Sequence, residues 1–435
     1  MIRQVWAAAL LVSLFAGTRV DAQEARRRFE TMRRIRLDKF ELVLPQAMRE
    51  NRIDMWIVAM KQNHPDPLLE DLGGAFIGAT GYFVFSDRGA RIEKAVFDIE
   101  GIDLVGSGGY DIVDPKVDLK TFVRERDPKR IAVNTSDDIG AADGLTHTHY
   151  QLLVRMLGEP YASRLVSAEK LVSDFRSRRV ASEVVAFGEA AHHARELAER
   201  ALSHEVITPG RTTLEDVAWW LQDRLLERSL GSSFGQPSVY VSGPKGILAT
   251  SDATIIQPGM LLHLDWGVCL MNLCTDMKRT AYVLRNGETA APAGIQHAWD
   301  QALKVRAIIR ANLKPGLTGL QTLDMLNRKV SEAGFAIMKE FNKPTANSTT
   351  EIVIGCHSTG NTGHGSGPSI TTWQGVQGSY TVKPLNLIAF EFFAWTPAAE
   401  WNGGKVRIPL EDDALVTERG AEWLVPVNER ILLIK

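Results

Sequence analysis

A chain of 435 residues is too long for one ordinary core, and the length prior suggests about two to three domains. Hydrophobic residues make up 45% and charged residues 23%, and the formal net charge is -2, which fits a soluble globular protein and offers no basic surface for nucleic acid. Three cysteines, Cys269, Cys274 and Cys356, exclude a disulfide framework; Cys269 and Cys274 can pair across a turn, but two core thiols are the expectation.

Residues 1–22 read as a secretory signal. Arg3 gives a positive start, "VWAAALLVSLFAG" is apolar, and "VDA" is a small-x-small cleavage pattern, so the mature chain is expected to start near Gln23 and to be exported to a periplasmic or extracellular space. The apolar run falls short of the ~20 residues that span a bilayer, and no later stretch is long and apolar enough to do so. From 23 to about 170 helices and strands alternate. "RRRFETMRRIRLDKFELVLPQAMREN" has helical spacing at Phe29, Met32, Ile35 and Phe40, and "DMWIVAM" (54–60), "TGYFVFS" (80–86) and "KRIAVNTS" (129–136) read as strands, which together predict a small α/β domain.

From 175 to 435 the pattern predicts a second, α+β domain. "ASEVVAFGEAAHHARELAERAL" from 181 is a long helix with Val184, Phe187, Ala194, Leu197 and Ala201 on one stripe, and "TTLEDVAWWLQDRLLE" follows with a Thr212-x-x-Glu215 capping box. The pairs His192–His193 and Trp219–Trp220 read as surface and core respectively. Strand-like runs at 238–242, 260–271 and 279–284 come next. Two more helices and runs at 387–394, 405–410 and 430–435 repeat that order, as a duplicated half would.

The chemistry lies in those strands. In "LLHLDWGVCLMNLCTDMKRTAYVL" (261–284) Asp265 ends one apolar run and Asp276 begins another, so a hairpin sets two carboxylates beside each other. Burying them together is costly unless a cation compensates, and these two residues alone read more simply as a solvated turn Asp and a strand-edge Asp; two further acids change the balance. Glu391 sits in the middle of "LNLIAFEFFAW" and Glu411 at the end of "VRIPL", both in apolar company where an ionised glutamate needs a partner. The stretch "CHSTGNTGHG" (356–365) adds His357 and His364 in a glycine-rich loop. Four carboxylates and a histidine form a donor set suited to Mn²⁺, Co²⁺, Zn²⁺ or Fe²⁺, and they exceed what one ion needs, so two divalent ions (Mn²⁺, Co²⁺ or Zn²⁺) are expected.

These segments resemble the M24 metallopeptidases, which have the pita-bread fold and include methionine aminopeptidase, aminopeptidase P and Xaa-Pro dipeptidase. "HLDWG" with "TDMKRT" is similar to that family's D-x-G and (S/T)-D-x-x-R-T hairpin, "FEFFA" to its I-E-P strand and "IPLEDD" to its closing R-I-E-D strand. The likeness covers about 175–435, and residues 23–170 look like the creatinase/prolidase N-terminal domain of the aminopeptidase P and prolidase branch. The resemblance implies that Asp265 chelates one metal, that Asp276 and Glu411 bridge both, and that Glu391 and a histidine complete the second. It also implies that Glu391 is the general base for attack of an activated water on a peptide bond. The family loop H-G-x-G-x-x-x-H spaces its two histidines by seven; "HSTGNTGHGSGPS" keeps that spacing from His357 to His364, whereas starting from His364 the partner position falls on Thr371. His357 is then the ligand and His364 the donor to the scissile carbonyl.

The sequence departs from the pattern at Ser358, at Gly365, at Lys278 where the family has a threonine, and near Thr250, where a substrate-binding histidine is missing. His263 shares strand parity with Asp265 and reads as a satisfied core histidine. The expected function is that of an exported dinuclear-metal peptidase removing an N-terminal residue or cleaving Xaa-Pro peptides. The alternatives are a pita-bread hydrolase of C–N or phosphotriester substrates, or a non-catalytic pita-bread binding protein. The partners expected are a small peptide substrate and a second copy in a homodimer, with neither nucleic acid nor membrane.

Overall fold

A computed structural model describes residues 20–74, 76–243, 246–248, 254–360, 365–373 and 375–435. The chain divides into two compact units, one comprising residues up to Val133 together with Leu145–Val166, the other Asn134–Gly144 and Ser167–Lys435. A single boundary near 170 does not describe this interleaving. Residues 1–19 of the signal-like segment lie outside the described residues, and helix α1 runs from Val20 to Leu42.

In the first unit the strands β1 (Met55–Met60), β2 (Phe76–Asp87), β3 (Ile92–Glu100), β4 (Ile112–Asp114), β5 (Ile131–Val133) and β6 (Leu165–Ser167) form one mixed sheet in the order β4-β3-β2-β1-β5-β6. All six residues of β1 are buried, because α2 (Leu119–Arg126) and α3 (His147–Leu157) cover Met55, Ile57 and Ala59, while Trp56 packs on Phe85, which in turn meets Phe40. Double coverage makes the sequence of β1 a continuous apolar run rather than an alternation.

The second unit repeats helix, helix and strands. The first half holds α4 (Ala181–Ala201), α5 (Leu214–Glu227), β7 (Ser238–Gly243), β8 (Leu261–Trp266) and β9 (Met277–Val283); the second holds α6 (Ala293–Asn312), α7 (Gly319–Glu332), β10 (Glu351–Ile354), β11 (Cys356–Ser358), β12 (Leu387–Pro397) and β13 (Lys405–Thr417). The N-cap of α5 is Thr213, bonded reciprocally with Asp216 (3.1 and 2.8 Å), one residue beyond the Thr212–Glu215 box expected; the Thr212 hydroxyl instead accepts from the Thr208 amide. On the same helix Trp219 is exposed, not core, and its indole donates to Glu215.

The strands of both halves join in one sheet, in the order β10-β12-β13-β9-β8-β7 along its middle. Each half's helices cover its own strands: Leu214, Val217 and Leu221 pack with Leu262, Leu264 and Trp266, and Trp299, Ala302 and Val305 with Ile388, Phe390 and Phe392. Strand parity then turns Asp265, Glu391 and Glu411 to the opposite face. On the helix side of the seam Arg279 of β9 and Asp412 of β13 form a buried ion pair at 2.8 Å, and Arg279 also donates to the Lys278 carbonyl. Burial pushes the Asp412 carboxyl up, against the pull of Arg279. Removing the guanidinium leaves that acid uncompensated. Arg279→Met is expected to lower stability by about 3–5 kcal/mol, read as a shift of the urea midpoint; a shift under a quarter of that would show that the pair does not hold the seam.

Candidate metal centre

The hairpin that carries Asp265 and Asp276 is folded by a close backbone approach. The run expected over 260–271 breaks at Gly267, where a Cβ would stand 1.8 Å from the Thr275 carbonyl oxygen, so only glycine fits. Beyond it Val268–Leu270 pairs with Leu273–Cys274, and Cys269 and Cys274, directly opposite in register, are joined in a disulfide. The expectation of two core thiols is thereby corrected: a five-residue separation across a tight turn sets the two Cα atoms 4.0 Å apart, within reach of a bridge. Cys356 is a buried free thiol whose Sγ lies 3.3 Å from the Glu391 carbonyl.

Two rows of side chains cross the seam. Register pairs Asp265 with Lys278, Lys278 with Glu411 and Glu411 with Glu391, so these four stand side by side on β8, β9, β13 and β12. In the next row on the same face come Asp276, Asp413, Ala389 and His357: Asp413 accepts the Asp276 amide at 3.2 and 3.3 Å, and Ala389 pairs with both Asp413 and His357. The structure thus brings Asp265, Asp276, His357, Glu391 and Glu411 to one place. His364 lies outside the described residues, as does Thr250. His263 stands one row further along with Nδ1 2.9 Å from the Thr280 hydroxyl, while its Nε2 has no hydrogen-bond partner among the described residues, so the satisfied state expected for it is only half met.

These groups line a cavity of ≈ 230 Å³ together with Phe234, Ser238, Lys278 and Trp373. That is less than the ~300 Å³ at which drug-sized ligands begin to be enclosed, and suits one or two residues of a peptide. Gly355, opposite Glu391, keeps the wall open, since a Cβ there would come within 2.8 Å of Glu391 Oε2 and of the Trp373 ring. A larger cavity of ≈ 650 Å³, lined by Trp395, Trp401 and Arg407 among others, contains none of the donors.

The electrostatics divide the cluster. His357 Nε2 lies 3.6 Å from Glu411 Oε1, 3.9 Å from Asp276 Oδ2 and 4.0 Å from Glu391 Oε2, too far for hydrogen bonds. An ion bonded at ~2.0–2.2 Å keeps its donors about 3–4 Å apart. Ligand atoms of Asp276, His357 and Glu411 all fall within 4.8 Å of one another. Asp276 Oδ1 and Glu411 Oε1 are buried without a hydrogen-bond partner among the described residues. Burial, then the Glu411 and Asp265 carboxylates, drive the Asp276 carboxyl well above its ordinary range. Burial opposes charge on His357, but Glu411 and Glu391 outweigh it and hold the imidazole above its usual value. The donors on this side of the cluster fit a cation.

The other side already has one. Lys278 Nζ lies 3.1 Å from Asp265 and 2.6 Å from Glu391, and it also contacts Glu411. Burial alone would depress its ammonium; the carboxylates of Asp265, Glu391 and Glu411 outweigh burial and keep it charged. Lys278, Asp413, Phe234 and Trp373 were not legible as site residues, although Lys278 and Asp413 share the strand parity of Asp276 and Glu411.

The model of metallopeptidase family M24 matches residues 186–418, more than half of the chain. The chain belongs to metallopeptidase family M24. It is a metal-dependent peptidase by that membership, and the duplicated unit described above is the pita-bread fold. An uncharacterized peptidase of Bacillus subtilis, YqhT, is 22% identical over 373 residues, which cover 82% of this chain and 91% of that protein. The fold is also similar to an X-Pro aminopeptidase from Thermotoga maritima (TM-score 0.63, 16% identity, 89% of this chain and 99% of that one). It is similar as well to a Xaa-Pro dipeptidase from Bacillus anthracis (TM-score 0.59, 19% identity, 93% and 99%).

If the M24 chain binds its ion here, Asp276→Asn and His357→Ala should each lower metal content at equilibrium by at least tenfold, because a neutral amide or a methyl replaces a donor of a buried site. Metal analysis after dialysis reads this, and wild-type metal content in both variants would place the ion elsewhere.

Proposed function

We propose that this protein is an exported, divalent-metal-dependent peptidase that removes an N-terminal residue or cleaves Xaa-Pro peptides. The observation that carries the reading is the set of donors Asp276, His357, Glu391 and Glu411 turned toward one hollow, with two buried carboxylate oxygens that have no hydrogen-bond partner among the described residues beside a cavity of peptide-residue size. The likeness to solved structures titled X-Pro aminopeptidase and Xaa-Pro dipeptidase supports the substrate class.

A divalent ion of the Mn²⁺, Co²⁺ or Zn²⁺ class supplies Lewis acidity toward the scissile carbonyl and activates a water at neutral pH. The remaining work falls to side chains. Glu391 is the proton carrier: Oε1 is bonded to Lys278, which leaves Oε2, on the His357 side, to take the proton of the attacking water and pass it to the leaving amine. Phe234 and Trp373 flank the cavity with apolar surface that suits a pyrrolidine ring and keeps bulk water back. His364 is assigned the role of hydrogen-bond donor to the carbonyl oxygen. Export is supported by the signal-like residues 1–22 and by the Cys269–Cys274 disulfide, a bond that persists in oxidising compartments. Among the described residues no helix is long and apolar enough to cross a membrane. A homodimer is the assembly we propose, on the resemblance to the prolidase branch.

A di- and tripeptide library assayed with Mn²⁺, Co²⁺ and Zn²⁺ in turn should show turnover concentrated on Xaa-Pro bonds and abolished by chelation. Turnover of phosphotriesters or other C–N substrates with none of peptides would replace this reading by the non-peptide one, and metal binding with no turnover at all would leave a binding protein. His364→Ala is expected to keep its metal while kcat falls by ~10²–10³, the usual cost of one oxyanion donor. The N-terminal sequence of protein recovered from the native host should begin near Gln23; a cytosolic chain that retains Met1 would refute export.

A further inference from the structure

The carboxylates at the seam have room for two cations, and one is part of the chain. Lys278 projects from β9 between Asp265 on β8 and Glu411 on β13, its register partners on either side. An ammonium has three donors and no acceptor. Here three carboxylates surround it: Asp265 at 3.1 Å, Glu391 at 2.6 Å and Glu411 in closer contact still. The side chain is only 6% exposed, so those contacts lie out of solvent.

We infer that the centre is mononuclear: Lys278 takes the place of one of the two ions that the M24 resemblance implies, and a single divalent ion binds on the other side, among Asp276, His357, Glu391 and Glu411. This rests on the metal-dependent reading above. An ion bonded to Asp265, Glu391 and Glu411 at ~2.0–2.2 Å would have to sit in the hollow that Nζ already fills. Two cations there would clash and repel. To admit the second ion, Lys278 would have to give up two charge-assisted hydrogen bonds and an ion pair with Asp265, and carry its charge to another place out of water. Its neighbour across the sheet is the Phe393 ring, 5.6 Å from Nζ, which accepts no hydrogen bond of comparable strength.

The unpartnered oxygens agree. Glu411 offers Oε2 to Lys278 and leaves Oε1 toward His357; Glu391 offers Oε1 to Lys278 and leaves Oε2 toward His357. Asp276, whose Oδ1 has no hydrogen-bond partner among the described residues, makes no hydrogen bond or ion pair with Lys278 among them. Asp265, by contrast, faces the lysine, and in this arrangement it positions the ammonium rather than chelating metal. The threonine that the family pattern places here has no charge with which to fill the hollow, so the substitution converts a metal position into a fixed cation.

The test counts ions. Full-length protein, stripped by chelator and dialysed against Mn²⁺, is expected to hold one ion per chain and to show the hyperfine spectrum of an isolated Mn²⁺ in electron paramagnetic resonance. Lys278→Thr should raise the count to two and give the spectrum of a spin-coupled pair. Asp265→Asn should keep its single ion, and His357→Ala should lose it. Two ions per wild-type chain, or a spin-coupled pair in wild type, overturns the inference and leaves the proposed peptidase intact. No ion in wild type or in Lys278→Thr overturns both. If Lys278→Thr fails to fold by circular dichroism, the wild-type count and Asp265→Asn still decide, because loss of the ion in Asp265→Asn would make Asp265 a ligand and sink the proposal.

Discussion

Everything in the second unit answers to one constraint: carboxylates from both halves of a duplicated fold are turned to the same face of a sheet and must be neutralised there. Asp265 and Asp276 come from one half, Glu391 and Glu411 from the other, and the seam between β9 and β13 sets them in adjacent rows. The helices cannot help, since they cover the opposite, apolar face. Compensation therefore has to come from the face itself, through Lys278 on one side and a bound ion on the other. The Arg279–Asp412 pair is the same problem solved on the helix side, where a buried guanidinium meets a buried acid directly.

Seen this way, the local oddities of the sequence belong together. Gly267 and the Cys269–Cys274 bridge form the tight hairpin that brings Asp276 back beside Asp265. Gly355 leaves the wall opposite Glu391 low enough for a ligand to reach it. Asp413 holds the Asp276 backbone amide with both carboxylate oxygens rather than a cation of its own, and burial pushes its carboxyl well up.

Much of this could be read from the chain before any coordinates. Period-two parity around Asp265, Glu391 and Glu411 in otherwise apolar strands exposed an unpaid charge, and the spacing of the strands exposed the duplication. What escaped is what depends on register between distant strands. Lys278 was visible only as a departure from a pattern, because its contacts need the alignment of β9 with β13, and no local signal encodes that alignment. The expectation of two core thiols failed for a related reason: spacing allows a disulfide, but only the strand pairing sets Cys269 opposite Cys274. The cap of α5 slipped by one residue because "TTLED" contains two threonines and two acids in equivalent spacing, and the choice was made by the Thr208–Thr212 contact upstream. Trp219 was misplaced because a Trp-Trp pair on a helix must split between faces, and the sequence does not say which member goes inside.

The seam also imposes an order on synthesis. Strand β9 lies in the middle of the finished sheet, yet the strands beside it on its outer edge, β13 and the short strand Leu432–Ile434, are translated far later than β8. As the first half leaves the ribosome, it carries an open, apolar strand edge with two acids and a lysine already beside it. Those charges, useless for catalysis at that stage, are the kind that discourage one strand edge from pairing with another chain.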